Sequence, residues 1–168
     1  MNSDSNKGLQ GPQETPPTTP AAKHESSETQ VLMKHVFPVE ADDFTSAGEA
    51  SGKIKNILKQ LGIDSQLVRR AAIACYEAEL NLVIHSWGGQ LTLLLTPHEI
   101  KIVTEDTGPG IPDVDMAMKE GYSTASERAR ELGFGAGMGL PNIQRNASRV
   151  EIYSVVGQGT TLKITFGF

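Results

Sequence analysis

Glu77, Asn81 and His85 recur at every fourth position in the stretch YEAELNLVIH. On a helix they make one polar stripe that drifts by about 40° per step. A carboxylate one turn before a carboxamide can hold a metal ion or a water and accept a proton. A solvated helix face has the same spacing, and apolar Ala74, Ala78, Leu82 and Ile84 flank the stripe here. Glu79 points elsewhere on such a helix and reads as surface charge. The second group is EDTGPGIP, where Asp106 ends an apolar strand and Gly108 and Gly110 permit close approach of a flat ligand to the backbone. A plain Asp-x-Gly turn reads the same way.

The third group is ELGFGAGMGLPN, with glycines at 133, 135, 137 and 139. A dinucleotide fingerprint would need a glycine where Met138 or Leu140 stands. A Walker loop fails as well, since the single Gly-Lys pair is Gly52-Lys53 and the position five before Gly52 is Ala47. Glycine amides that run into a helix start form a phosphate cradle, and a flexible hinge is the alternative. The fourth group, GQGTTLKI, brings hydroxyls to the start of the last strand, where threonine is also favoured for its shape.

The elements that carry these groups alternate. Residues 31–39 read as a strand closed by Pro38. Ile54, Ile57, Leu58 and Leu61 mark a helix that Gly62 stops, and a second helix runs from Asp64 or Ser65 to about His85. QLTLLLTP and EIKIVTED form a hairpin around Pro97-His98, followed by a short helix near 113–120 and a polar stretch, GYSTASERAREL. Pro141 suits a first helical turn, and VEIYSVV and TTLKITFGF close the chain as strands joined through Gly157-Gln158-Gly159. The economical fold is α/β, with helices on one face of a largely antiparallel sheet.

Composition narrows the function. A 168-residue chain of net charge −5 without a basic run is ill suited to neutralising nucleic-acid phosphates. A lone cysteine, Cys75, excludes an internal disulfide and fits a reducing cytoplasm. No stretch is long and apolar enough to span a membrane. Residues 1–29 are rich in Ser, Thr, Pro, Gln and Glu and read as a disordered tail, which leaves residues 30–168 as one domain.

The order of the four groups resembles the GHKL (Bergerat-fold) ATPases, the superfamily of gyrase, heat-shock chaperone, histidine kinase and mismatch-repair ATPases. The resemblance covers about residues 31–168, with EAELNLVIH similar to the N box, EDTGPGIP to the first glycine box and GFGAGMGLPNI to the second. GPGIPD and GYST with GAGMGLPNI most resemble bacterial anti-sigma-factor serine/threonine kinases of the stressosome switch type. The resemblance implies a two-layer sandwich on a mixed, largely antiparallel sheet, with ATP and Mg²⁺ as cofactors. It implies Glu77 as general base, Asn81 as metal ligand and Asp106 as acceptor for the adenine amino group. Gly108 and Gly110 would lie against the purine, and Thr160 would support it. Gly135, Gly137 and Gly139 would face the phosphates as the ATP lid, with Met138 and Leu140 among the nucleotide-binding residues, and His85 matches a structural position. The implied partner is an anti-sigma-antagonist-type domain or a sigma factor, with a homodimer possible. A nucleotide-gated binding module with little turnover is the alternative to a kinase.

Related kinases often carry an arginine just before the second glycine box. Leu132-Gly133-Phe134 occupy that place here, with Arg128 and Arg130 upstream. A sensor histidine kinase is disfavoured, because His24 falls in the tail and His35 in a strand. The absence of H-R-D and D-F-G excludes a eukaryotic-type kinase.

Overall fold

The computed structural model describes residues 30–168, and the tail expected over residues 1–29 lies outside them. Five strands form one sheet: β1 (Met33–Val39), β2 (Gly89–Leu95), β3 (Glu99–Asp106), β4 (Arg149–Val155) and β5 (Gly159–Gly167). Their spatial order is β1-β2-β3-β5-β4, and all four pairings are antiparallel. The sheet expected to be largely antiparallel is therefore wholly so among the described residues. Pro38 lies inside β1 rather than ending it, as an edge strand allows.

The register sets out the core in rows. Leu93, Ile102, Ile164 and Val150 stand opposite one another across four strands, and Leu95, Ile100 and Phe166 form the next row. Side chains alternate faces along a strand, so these rows share one face. Against it pack α1 (Glu49–Gln60), α2 (Ser65–His85) and α5 (Gly139–Asn146). Ile54 and Leu58 of α1, Val68, Ala71, Ala74, Ala78 and Leu82 of α2 and Ile143 of α5 are buried in the same cluster. At one end of the sheet the rows turn polar: Gly89 stands opposite Asp106, and Ser154 opposite Thr160.

The helix ends follow local chemistry. Asp64 accepts hydrogen bonds from the Gln66 and Leu67 N–H groups and starts α2. Gly62 ends the α1 segment as expected, with Gly62 N–H bonded to Lys59 O and Ile63 N–H to Leu58 O. The start of α1 corrects the reading of Glu79. Gly48 has no side chain with which to cap, and the two Glu79 oxygens accept from Ala50 N–H at 3.0 Å and Ser51 N–H at 2.9 Å. Glu79 is only 2% exposed, so it is a buried cap supplied across helices rather than surface charge.

Two short helices complete the chain. α3 (Val114–Ala117) is capped by Asp113 and falls where a short helix was expected. α4 (Glu127–Glu131) was not expected, because its polar stretch shows no apolar period. Its start is capped by Ser126, and Ala129 is fully buried. Its end is a Schellman motif, with Gly133 N–H on Arg130 O and Phe134 N–H on Ala129 O. Among the described residues no helix is long and apolar enough to cross a membrane.

Candidate functional site

Asp106 ends β3 at the polar end of the sheet, and its surroundings are glycine and backbone. A Cβ on Gly108 would stand 3.1 Å from Asp106 Oδ1, and one on Gly89 or Gly159 would collide with the Asp106 backbone. Thr160 N–H donates to Asp106 Oδ1 at 3.1 Å. Burial raises the Asp106 carboxyl above its ordinary value of 3.8, and the Thr160 hydrogen bond works against that shift.

Ser154 binds this end together. Its hydroxyl shares a 2.8 Å hydrogen bond with the Thr160 hydroxyl and accepts the Ile111 N–H at 2.7 Å. Gly157 N–H adds a bond to Pro109 O at 2.9 Å, so the turn between β4 and β5 clamps the GPGIP loop. Gly110, at φ +69°, runs so close to the Val155 carbonyl that no side chain would fit.

Asp106, Pro109, Gly110, Ile111 and Thr160 open onto a cavity of about 640 Å³. That lies within the range of roughly 300–1,000 Å³ typical of small-molecule sites. Asn81, His85, Asp106, Gly110, Leu140 and Thr160 all line it. Trp87 lines it as well, 68% exposed, with its backbone N–H donating to Thr107 O at 2.7 Å. Sequence reasoning passed over Trp87, Ser154 and Asn142. The lone tryptophan beside two glycines at a helix end was the one available signal.

The stripe on α2 meets the first turn of α5. A Cβ on Gly139 would lie 3.2 Å from Asn81 Oδ1 and 3.5 Å from Glu77 Oε2, so glycine there keeps both oxygens open. A carboxamide oxygen and a carboxylate one turn apart suit a hard cation that takes its remaining ligands from water and phosphate. Asn142 Nδ2 donates to Glu77 Oε1 at 2.7 Å. His85, further along the stripe, lies 3.4 Å from the Thr124 hydroxyl, and burial lowers its pKa below 6.5.

The four alternating glycines separate into different roles. Gly133 is the left-handed residue after α4. At φ +75°, Gly137 packs against the backbone of Gly121 and Tyr122, and its carbonyl accepts the Gly121 N–H at 2.9 Å. Gly135 packs on Ala125, Met138 precedes α5 without a side-chain capping bond, and Gly139 faces the Glu77–Asn81 pair. Of the five nucleotide-binding residues expected here, Leu140 lines the cavity, and Gly135 and Gly137 are held by segment 121–125. Neither upstream arginine lines the cavity: Arg128 lies 5.8 Å from the Phe44 ring and Arg130 donates to Ser123 O.

Comparison with known proteins follows the same lines. A family model described as histidine kinase-, DNA gyrase B-, and HSP90-like ATPase matches residues 67–168. The chain is 31% identical over 113 residues to the serine/threonine-protein kinase RsbT of Bacillus subtilis, which covers 65% of this chain and 79% of that protein. It is 31% identical over 97 residues to an anti-sigma F factor of Caldanaerobacter subterraneus, with 55% of this chain and 64% of that protein covered. Among solved structures, the SiaB–SiaC complex from Pseudomonas aeruginosa has a chain with a TM-score of 0.48 at 12% identity, covering 82% of this chain and 90% of that one. That likeness is too distant to carry an argument.

Proposed function

Because this chain belongs to the histidine kinase-, DNA gyrase B- and HSP90-like ATPases, we propose that it is an ATP-dependent serine/threonine protein kinase whose substrate is a regulatory partner protein with an anti-sigma-antagonist-type domain. One observation carries the reading. A single cavity has the half-buried Asp106 carboxylate at the sheet end and Asn81 at the α2–α5 end, with Glu77 one helical turn beyond Asn81. The 31% identity to a serine/threonine-protein kinase supports the same class of reaction.

Phosphoryl transfer asks for positioning, charge neutralisation and a base at the attacking hydroxyl more than for covalent chemistry by the protein. Asp106 Oδ2, which Thr160 leaves free, would accept the adenine amino group, with Gly108 and Gly110 allowing the purine to lie on backbone. Mg²⁺ would neutralise charge on the phosphates, and Asn81, through its carboxamide oxygen, would be the residue to hold it. Glu77 would take the proton from an incoming serine or threonine hydroxyl, a contribution of typically about 10²–10⁴ in rate.

The test is transfer of labelled γ-phosphate from ATP to a purified anti-sigma-antagonist domain. Glu77→Gln keeps size and hydrogen-bonding shape, so Mg-ATP affinity should stay near the parent while transfer falls at least about a hundredfold. Transfer by Glu77→Gln at the parental rate would return Glu77 to a plain polar helix face. A parent chain that labels nothing but holds the partner in a nucleotide-dependent way would make it a binding module.

A further inference from the structure

Glu77 is held by a neighbouring helix rather than by its own. Beyond the 2.7 Å bond from Asn142 Nδ2 to Glu77 Oε1, Arg145 Nη1 donates to Asn142 Oδ1 at 3.2 Å. Arg145 Nη2 is paired in turn with Glu120. A guanidinium only donates and a carboxylate only accepts, so the amide between them has one workable orientation, oxygen toward Arg145 and NH₂ toward Glu77. The reverse would set donor against donor and acceptor against acceptor.

The far end of this chain of bonds is placed with equal definition. Glu120 immediately precedes Gly121, whose N–H closes on Gly137 O at 2.9 Å and so joins the two ends of segment 121–137. Arg145 and Glu120 are 53% and 60% exposed, which makes their pair a weak contributor to stability and easily exchanged for water. The inner bond, by contrast, is partly buried.

We propose that Asn142 is the positioning residue of Glu77, and that Arg145 and Glu120 set the Asn142 amide so that the aim of Glu77 depends on how segment 121–137 is seated. This rests on the reading of Glu77 as the base. It gives the site a form of regulation: a partner or nucleotide that draws Glu120 away would release Arg145, free the Asn142 amide to rotate and slow transfer without loosening ATP.

The test uses the full chain, Mg-ATP and the protein substrate. Asn142→Leu removes the donor at similar volume, and Asn142→Asp sets a carboxylate against Glu77. Both should lower kcat by about 10- to 100-fold while the KM for ATP, the calorimetric Kd for ATP and Tm stay near the parent, with Asp the worse of the two. Arg145→Met should lower kcat less, and the Asn142→Leu/Arg145→Met double variant should be no slower than Asn142→Leu alone, because Arg145 acts through Asn142. Fully additive losses would overturn the relay. So would a fall in kcat matched by equal falls in ATP affinity and Tm, which would mark Asn142 as part of the fold only. A transferring parent beside an unaffected Asn142→Leu variant overturns this inference alone. A parent without transfer overturns the kinase reading and takes this inference with it.

Discussion

Asp106 shows how much one side chain is asked to do. Thr160 N–H fixes Oδ1 as an acceptor, so in Asp106→Asn the amide oxygen must stay there and the NH₂ takes the place of Oδ2. That puts a donor where the proposed adenine amino group also donates, and ATP affinity should fall about ten- to a hundredfold in a calorimetric titration. GTP should bind the parent more weakly than ATP by a similar factor, since guanine presents a carbonyl oxygen at that place. Stability should move the other way. Burial raises the folded carboxyl above its ordinary 3.8, so the folded chain holds this proton more tightly than the unfolded one. Stability therefore declines as pH rises through that window, and above it the ionised carboxylate is a standing cost. Asp106→Asn should melt at or above the parental temperature at neutral pH, and parental ATP binding should begin to weaken, as pH falls, at a value above 3.8. Asp106 was legible because a strand-ending aspartate before two glycines is a local pattern. Ser154 and Asn142 were not, because an ordinary serine in a strand and an asparagine in a helix acquire meaning only through the register of β4 with β5 and the packing of α5 on α2.

Two glutamates two residues apart on α2 illustrate the element scale. Glu77 faces α5 while Glu79 caps α1, because a rotation of about 200° between them turns them to different neighbours. Glu79→Ala would leave the Ala50 and Ser51 N–H groups buried without an acceptor, a cost of about 1–3 kcal/mol in chemical unfolding. Glu79→Gln should lose less, keeping one acceptor and facing the other N–H with a donor. Neither should change ATP affinity by more than about twofold; a larger loss would tie the α1–α2 joint to the site. The long elements could be read from periodicity alone, since α2 and the central strands carry their apolar pattern over many residues. α4 could not. A five-residue helix is too short to show a period, and what holds it is a serine cap, a glycine turn and the stacking of Phe134 on Phe44 at 5.5 Å.

At the scale of the whole molecule, residues 30–168 close on themselves: one apolar cluster runs through three helices and every strand but the outermost β4, whose Val150 and Ile152 pack against it. No described core residue precedes Val39 in sequence, apart from the half-buried Met33 and Phe37 of β1. Deleting residues 1–28 should therefore leave Tm within about 2 °C and ATP affinity within about twofold; a larger drop in thermal denaturation would show that the tail docks on this core. The two-layer plan was legible because the strands alternate and the helices repeat, while the wholly antiparallel order depends on which edges meet, and nothing local encodes that. The walls around Asp106 carry a last consequence. Gly89, Gly108 and Gly159 pack about Asp106 and Gly110 lines the cavity beside it, and at Gly89, Gly110 and Gly159 a first carbon would drive into a neighbouring strand's backbone. An inhibitor seated on Asp106 and Gly110 therefore meets positions whose packing admits almost no larger side chain. Escape by substitution there would have to dismantle the pocket it protects, so resistance should arise at exposed Trp87 or in segment 121–137 before it arises at Gly110.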